Sequence, residues 1–209
     1  MGILVSLSGL DGSGKTTQGK KIMKLCLNNG IKAHYIHLKT IDTKESCFNV
    51  IAEAKQYAKE NRINVKIDRE ELRNIISAFL FIDKVKKEVT PALLDYDAVI
   101  VDRYLDSALC YHMLENGDYD SVVKIYEQVT RPDVNTFLNL SVDECCERVS
   151  KRKETTKYEN KGSFLKAYDF YASRRDNFLW IEANCDRNVI ANKIFGHIKQ
   201  QIRKDIQND

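Results

Sequence analysis

The chain has 209 residues, is 43% hydrophobic and 30% charged, and carries a formal net charge of +3 with a pI near 8.4. That length suits one α/β domain with a substantial core. The charge is too mild for a nucleic-acid-binding face, for which a domain pI above about 9 is the signal, but it suits small anionic substrates. No apolar run approaches the roughly 20 residues needed to span a bilayer, so neither nucleic acid nor a membrane is an expected partner.

The start, Met1-Gly2-Ile3-Leu4, has no basic region with a cleavage site, and Leu7 stands where myristoylation needs Ser or Thr. No secretory leader or lipid anchor is expected. The six cysteines, Cys26, Cys47, Cys110, Cys145, Cys146 and Cys185, form no C-x-x-C and no His/Cys metal spacing. Reduced thiols in a cytoplasmic protein are the plain reading.

Residues 3–7 form a short apolar run that reads as a buried strand. Gly9-Leu10-Asp11-Gly12-Ser13-Gly14-Lys15-Thr16 follows and fits the phosphate-loop pattern G-x-x-x-x-G-K-[ST] at every fixed position. Residues 16–28 then carry apolar side chains at helical spacing up to Gly30. Strands are further expected at 33–38, 98–101, 136–140 and 178–181, alternating with helical stretches. Two of these helices, about 44–61 and 68–88, separate the second and third strands. Asp68 with Glu71, and Ser141 with Glu144, have the spacing of capping boxes. Pro91 and Pro132, the only prolines, fall at expected element boundaries. The pattern is that of a five-stranded parallel sheet with helices on both faces, a three-layer P-loop NTPase sandwich in a single domain over residues 1–209.

The chemistry expected of the loop follows from its residue types. Gly9, Gly12 and Gly14 let backbone amides approach an anion, Lys15 brings a point charge to the β/γ oxygens of a triphosphate, and the Thr16 hydroxyl suits Mg²⁺. Asp11 is an acidic side chain in an anion-binding loop, which costs electrostatic energy unless the carboxylate either holds a basic side chain or accepts from a second substrate. Residues 98–101 end in Asp102, placed to reach Mg²⁺ through water, and Arg103 follows, with a planar fork suited to phosphate. A basic, polar stretch at about 148–162 contains Arg148, Lys151, Arg152, Lys153, Lys157 and Lys161. Between two helices, such a stretch reads as a lid that closes over phosphates. Asn192-Lys193-Ile194-Phe195 lacks the aspartate of a guanine-reading Asn-Lys-x-Asp.

These residues together resemble the thymidylate kinases, a family of nucleoside monophosphate kinases. The features that carry the resemblance are the loop with its acidic Asp11, Asp102-Arg103-Tyr104-x-x-Ser107-x-x-x-Tyr111, Arg131-Pro132-Asp133, and the basic lid ahead of Ser163. They occur in family order over nearly the whole chain. The resemblance implies ATP-dependent phosphorylation of a nucleoside monophosphate, dTMP to dTDP, with Mg²⁺ as cofactor, in a homodimer.

It implies catalytic roles for Lys15, Asp11, Arg103, Arg152 and Lys157. Gly9, Gly12, Ser13, Gly14, Lys15, Thr16, Thr17 and Arg148 would bind ATP, with the adenine near residues 184–187, and Thr16 and Asp102 would hold the metal. The acceptor would meet Asp11, Lys39, Leu80, Phe81, Lys84, Arg103, Tyr104, Ser107, Tyr111 and His112. Family members that carry a catalytic arginine in the loop differ here, where Ser13 stands, so the charge is expected from the lid. The residues themselves also admit a kinase for another small acceptor, or a nucleotide-binding module without transfer.

Overall fold

The computed structural model describes residues 1–38, 56, 59–61, 69–115, 119–153, 156 and 158–208. Five strands, β1 (Ile3–Ser8), β2 (Ala33–His37), β3 (Ala98–Asp102), β4 (Val134–Asn139) and β5 (Leu179–Glu182), form one parallel sheet in the order β2-β3-β1-β4-β5. The three-layer α/β expectation therefore holds. The inner strands β1 and β3 are buried along their whole length, as strands covered on both faces must be, and their near-continuous apolar sequences follow from that.

Register determines which side chains share a face. Leu7 lies beside Asp102 and Thr136, and Asp102 beside His37. Helix α1 (Lys15–Asn28) covers that face, packing on β1, β2 and β3 and against the C-terminal helix α8 (Arg187–Asn208). The opposite face carries Phe137, whose ring meets Tyr171 at 4.6 Å and Trp180 at 4.3 Å. Tyr171 belongs to α7 (Lys161–Ala172), which packs on α4 (Leu105–Leu114). Helix α2 (Arg69–Lys84) in turn packs on α5 (Tyr119–Tyr126).

The helix expected at 68–88 differs from that reading at its end. The α-helical ladder stops at Lys84, a π-turn spans Val85–Val89, and α3 continues over Thr90–Asp95. Pro91 therefore lies inside the helical run rather than at its boundary. Proline has no N–H and its ring crowds the carbonyl four residues back, so the wider turn just before it lets the run continue. Asp68 and nearly all of the 44–61 stretch lie outside the described residues.

Of the second capping box, the serine half forms as expected, while the glutamate meets the serine hydroxyl rather than its backbone amide. Ser141 caps α6 (Val142–Ser150) by accepting from the Glu144 amide at 3.3 Å, and its hydroxyl donates to the Glu144 carboxylate at 2.6 Å. The side chain of Asn160 caps α7 in the same way, accepting from the Ser163 amide at 3.0 Å. Cys26, Cys110, Cys145, Cys146 and Cys185 are free thiols. No described helix is long and apolar enough to cross a membrane.

His112 is buried on α4, with Nε2 at 3.0 Å from the Tyr126 hydroxyl. Burial lowers its pKa from 6.5 to about 4, although the nearby Glu115 acts in the opposite direction. The folded state therefore binds fewer protons than the unfolded state between these values. The stability this contributes is complete above about pH 6.5 and is lost as pH falls toward 4, amounting to about 3 kcal/mol at most. His112→Gln is expected to flatten the dependence of Tm on pH between 6.5 and 4 relative to wild type, as measured by calorimetric melts.

Candidate functional site

The loop between β1 and α1 takes the shape its glycines permit. Gly12 and Gly14 have φ of 89° and 97°, in the region that favours glycine. At Gly12 an added Cβ would meet the Cys145 carbonyl oxygen at 3.1 Å and Arg148 Cβ at 3.3 Å, so the loop lies directly against α6. Arg148 donates to the Gly12 carbonyl at 3.1 Å from the same helix. Gly14 is the N-cap of α1 and no side chain caps it, which leaves first-turn amides facing outward beside the positive end of the helix dipole. That is an anion cradle.

Lys15 is buried and donates to the carbonyls of Gly9 and Leu10, both at 2.9 Å, and lies 3.9 Å from Asp11. Burial lowers its pKa, while the charge of Asp102 opposes that shift. Thr16 donates its hydroxyl to Asp102 Oδ2 at 2.7 Å. Asp102 is fully buried, and its Oδ1 has no hydrogen-bond partner among the described residues. A buried carboxylate oxygen left without a partner, beside a threonine hydroxyl and a phosphate cradle, has the donor chemistry that suits a hydrated Mg²⁺.

Arg103 is the only described non-glycine residue with positive φ, at 67°. Such a backbone costs about 1–3 kcal/mol and persists only where surroundings enforce it. Its amide donates to the Leu7 carbonyl at 3.1 Å, and its guanidinium bonds the Asp11 carboxylate and the Tyr111 hydroxyl, the latter at 2.9 Å. Tyr111 completes a triangle by donating to the other Asp11 oxygen at 3.3 Å. Of the two roles open to Asp11, holding a basic side chain is the one seen here, and its partner is Arg103.

Arg152 pairs with the buried Glu159 at 2.7 Å, within the segment that joins α6 to α7. The loop, Asp102, Arg103, Tyr111, Arg148 and Arg152 line one cleft of about 850 Å³, together with Thr17, Ala183, Cys185 and Arg187. The phosphate side and the Asp11–Arg103–Tyr111 side thus open on the same cavity, with the loop after β5 at its rim.

Several other expected acceptor residues have partners within the protein. Tyr104 is buried and donates to the Thr130 carbonyl at 3.0 Å. Ser107 is buried and accepts from Tyr171 at 3.3 Å. His112 is buried against Tyr126, and Phe81 packs its ring on both Tyr104 and Tyr126. Leu80 is half-buried, and Lys84 pairs with Glu88 at 3.8 Å. Lys39 and Lys157 lie outside the described residues.

Two groups escaped the sequence reading. Tyr35 donates to Asp102 Oδ2 at 3.0 Å, and His37 Nδ1 lies 3.0 Å from the same oxygen. Their two-residue spacing puts them on one face of β2, but only the strand register brings that face to Asp102. Separately, Tyr158 donates to Glu115, which also holds Arg73 at 3.2 Å, so contacts run from the lid segment to α2.

A family model described as thymidylate kinase matches residues 7–201. The thymidylate kinase of Brachyspira hyodysenteriae is 25% identical over 203 residues, covering 95% of this chain and 94% of that protein. The thymidylate kinase of Mycoplasma mobile is 27% identical over 217 residues, covering 97% and 100%. A probable thymidylate kinase of Pyrococcus abyssi is 30% identical over 162 residues, covering 76% and 75%.

Gly12→Ala adds a Cβ at a positive-φ position against α6. It is expected to destabilise the fold by about 1–3 kcal/mol and to weaken ADP binding, read by thermal melts and calorimetric titration.

Proposed function

The chain belongs to the thymidylate kinase family, and we propose that it transfers the γ-phosphoryl group of ATP to dTMP, giving dTDP and ADP. The observation that carries this reading is a single cleft that joins an anion cradle to the Asp11–Arg103–Tyr111 triangle. Such chemistry is mostly positioning and charge stabilisation, with no covalent intermediate on the protein. Loop amides and Lys15 hold the donor phosphates. Arg103 turns its fork to the acceptor phosphate, with Asp11 and Tyr111 as its orienting partners. Arg148 and Arg152, with Lys157, supply charge from the lid at about 148–162.

Thr16 and Asp102 would hold Mg²⁺, Asp102 through water. When bound there, the ion neutralises charge on the β- and γ-oxygens. We further read the chain as one kinase domain acting as a cytoplasmic homodimer.

A second reading, a different small acceptor, is favoured by the burial of Tyr104, Ser107 and His112 and by the engagement of Lys84 with Glu88. A panel of nucleoside monophosphates and deoxynucleosides, each with ATP and read by ADP release, separates the two. The expected result is fastest turnover with dTMP; turnover with another acceptor and none with dTMP transfers the assignment. Lys15→Ala is expected to lower kcat at least about 100-fold while leaving the circular dichroism spectrum unchanged. Near-normal turnover in that variant would remove the role given to Lys15.

A further inference from the structure

Three groups converge on one oxygen of Asp102. The Thr16 hydroxyl donates to Oδ2 at 2.7 Å and the Tyr35 hydroxyl at 3.0 Å, His37 Nδ1 lies 3.0 Å from the same oxygen without a hydrogen bond, and Oδ1 has no partner among the described residues. A carboxylate gripped at one oxygen cannot rotate about its terminal bond without losing those contacts, so the other oxygen is held in a fixed direction. Tyr35 reaches this position because of a gap in α1. At Gly19 an added Cβ would stand 2.4 and 2.7 Å from two carbons of the Tyr35 ring, and 3.3 Å from Leu7 Cδ1. Glycine is an unfavourable residue in a helix interior relative to alanine, and here the missing Cβ is the space the ring occupies.

We propose that Tyr35 is a positioning residue that fixes the free oxygen of Asp102 toward the metal-bound nucleotide, and that Gly19 is the notch that admits its ring. This rests on the reading of Asp102 as the metal-side carboxylate. Tyr35 itself is not among the residues that line the cleft. Its effect is therefore confined to the part of nucleotide affinity that depends on the metal.

The test is calorimetric titration of ADP into wild type, Tyr35→Phe, Gly19→Ala and the double variant, once with Mg²⁺ and once with EDTA. In wild type, Mg²⁺ is expected to tighten ADP binding. Tyr35→Phe is expected to lose about five- to tenfold of that tightening, the loss of one hydrogen bond to a charged group, while affinity in EDTA stays within about twofold. Gly19→Ala, which keeps the hydroxyl but displaces the ring, is expected to reproduce the loss, and to add nothing in the Tyr35→Phe background. It also answers the question if Tyr35→Phe fails to fold.

Wild-type metal dependence in both single variants overturns the proposal. So does an equal weakening with and without Mg²⁺, which is what a purely structural tyrosine would give. A wild-type protein that binds ADP identically in Mg²⁺ and EDTA overturns the metal reading of Asp102 along with it, and is told apart by the wild-type titration alone.

Discussion

A carboxylate with no exposure to water, Asp102, is the constraint around which the site is built. Taking a charge out of water costs several kcal/mol unless donors replace the lost hydration. Here the donors come from separate places in the chain: Thr16 on the first turn of α1 and Tyr35 on β2, with His37 Nδ1 close by at 3.0 Å. Parallel register supplies the geometry, with Asp102 between Leu7 on one side and His37 on the other. If the strands slipped by one residue, the carboxylate would move to the opposite face, into an aromatic layer with nothing to hold it. The phosphate loop, the buried Asp102 carboxylate and the positive-φ turn at Arg103 all depend on this one alignment.

Four cationic side chains of the cleft meet an acceptor of the protein itself. Lys15 meets two loop carbonyls, Arg103 meets Asp11, Arg148 meets the Gly12 carbonyl, and Arg152 meets Glu159. Interactions of this kind offset the repulsion of several positive charges and the entropy of long side chains, and they hold each cation at the cleft in advance. Phosphoryl transfer asks for little else, since its transition state needs charge in the right places more than covalent help. The positive φ at Arg103 fits the same account: a local cost is retained where a carboxylate, a hydroxyl and a backbone carbonyl all specify one direction for the side chain.

Much of this was legible in the residue pattern, for identifiable reasons. Strands β1 and β3 are continuous apolar runs because both of their faces are covered. The loop glycines stand where positive φ is needed, and the Ser141–Glu144 pair does cap a helix. The π-turn before Pro91 was not legible, because a proline marks a break and does not say whether the helix resumes. Nor was the fate of Tyr104, Ser107 and His112 on and next to α4. Residues three or four apart are neighbours on a helix, but that spacing does not say which side chains pack on Phe81, Tyr126 or Tyr171.

What the amino-acid order determined by itself is local: hydrophobic period, glycine positions, caps, and the run of a basic segment between two helices. These depend on contacts within a few residues, where backbone sterics and periodicity decide the outcome. The joining of Asp11 to Arg103 and Tyr111, and of Tyr35 to Asp102 over the notch at Gly19, was decided only by the tertiary structure. Those contacts cross 67 to 100 positions of chain. They exist because sheet register and helix packing bring distant side chains within hydrogen-bonding reach, and no local pattern encodes that distance.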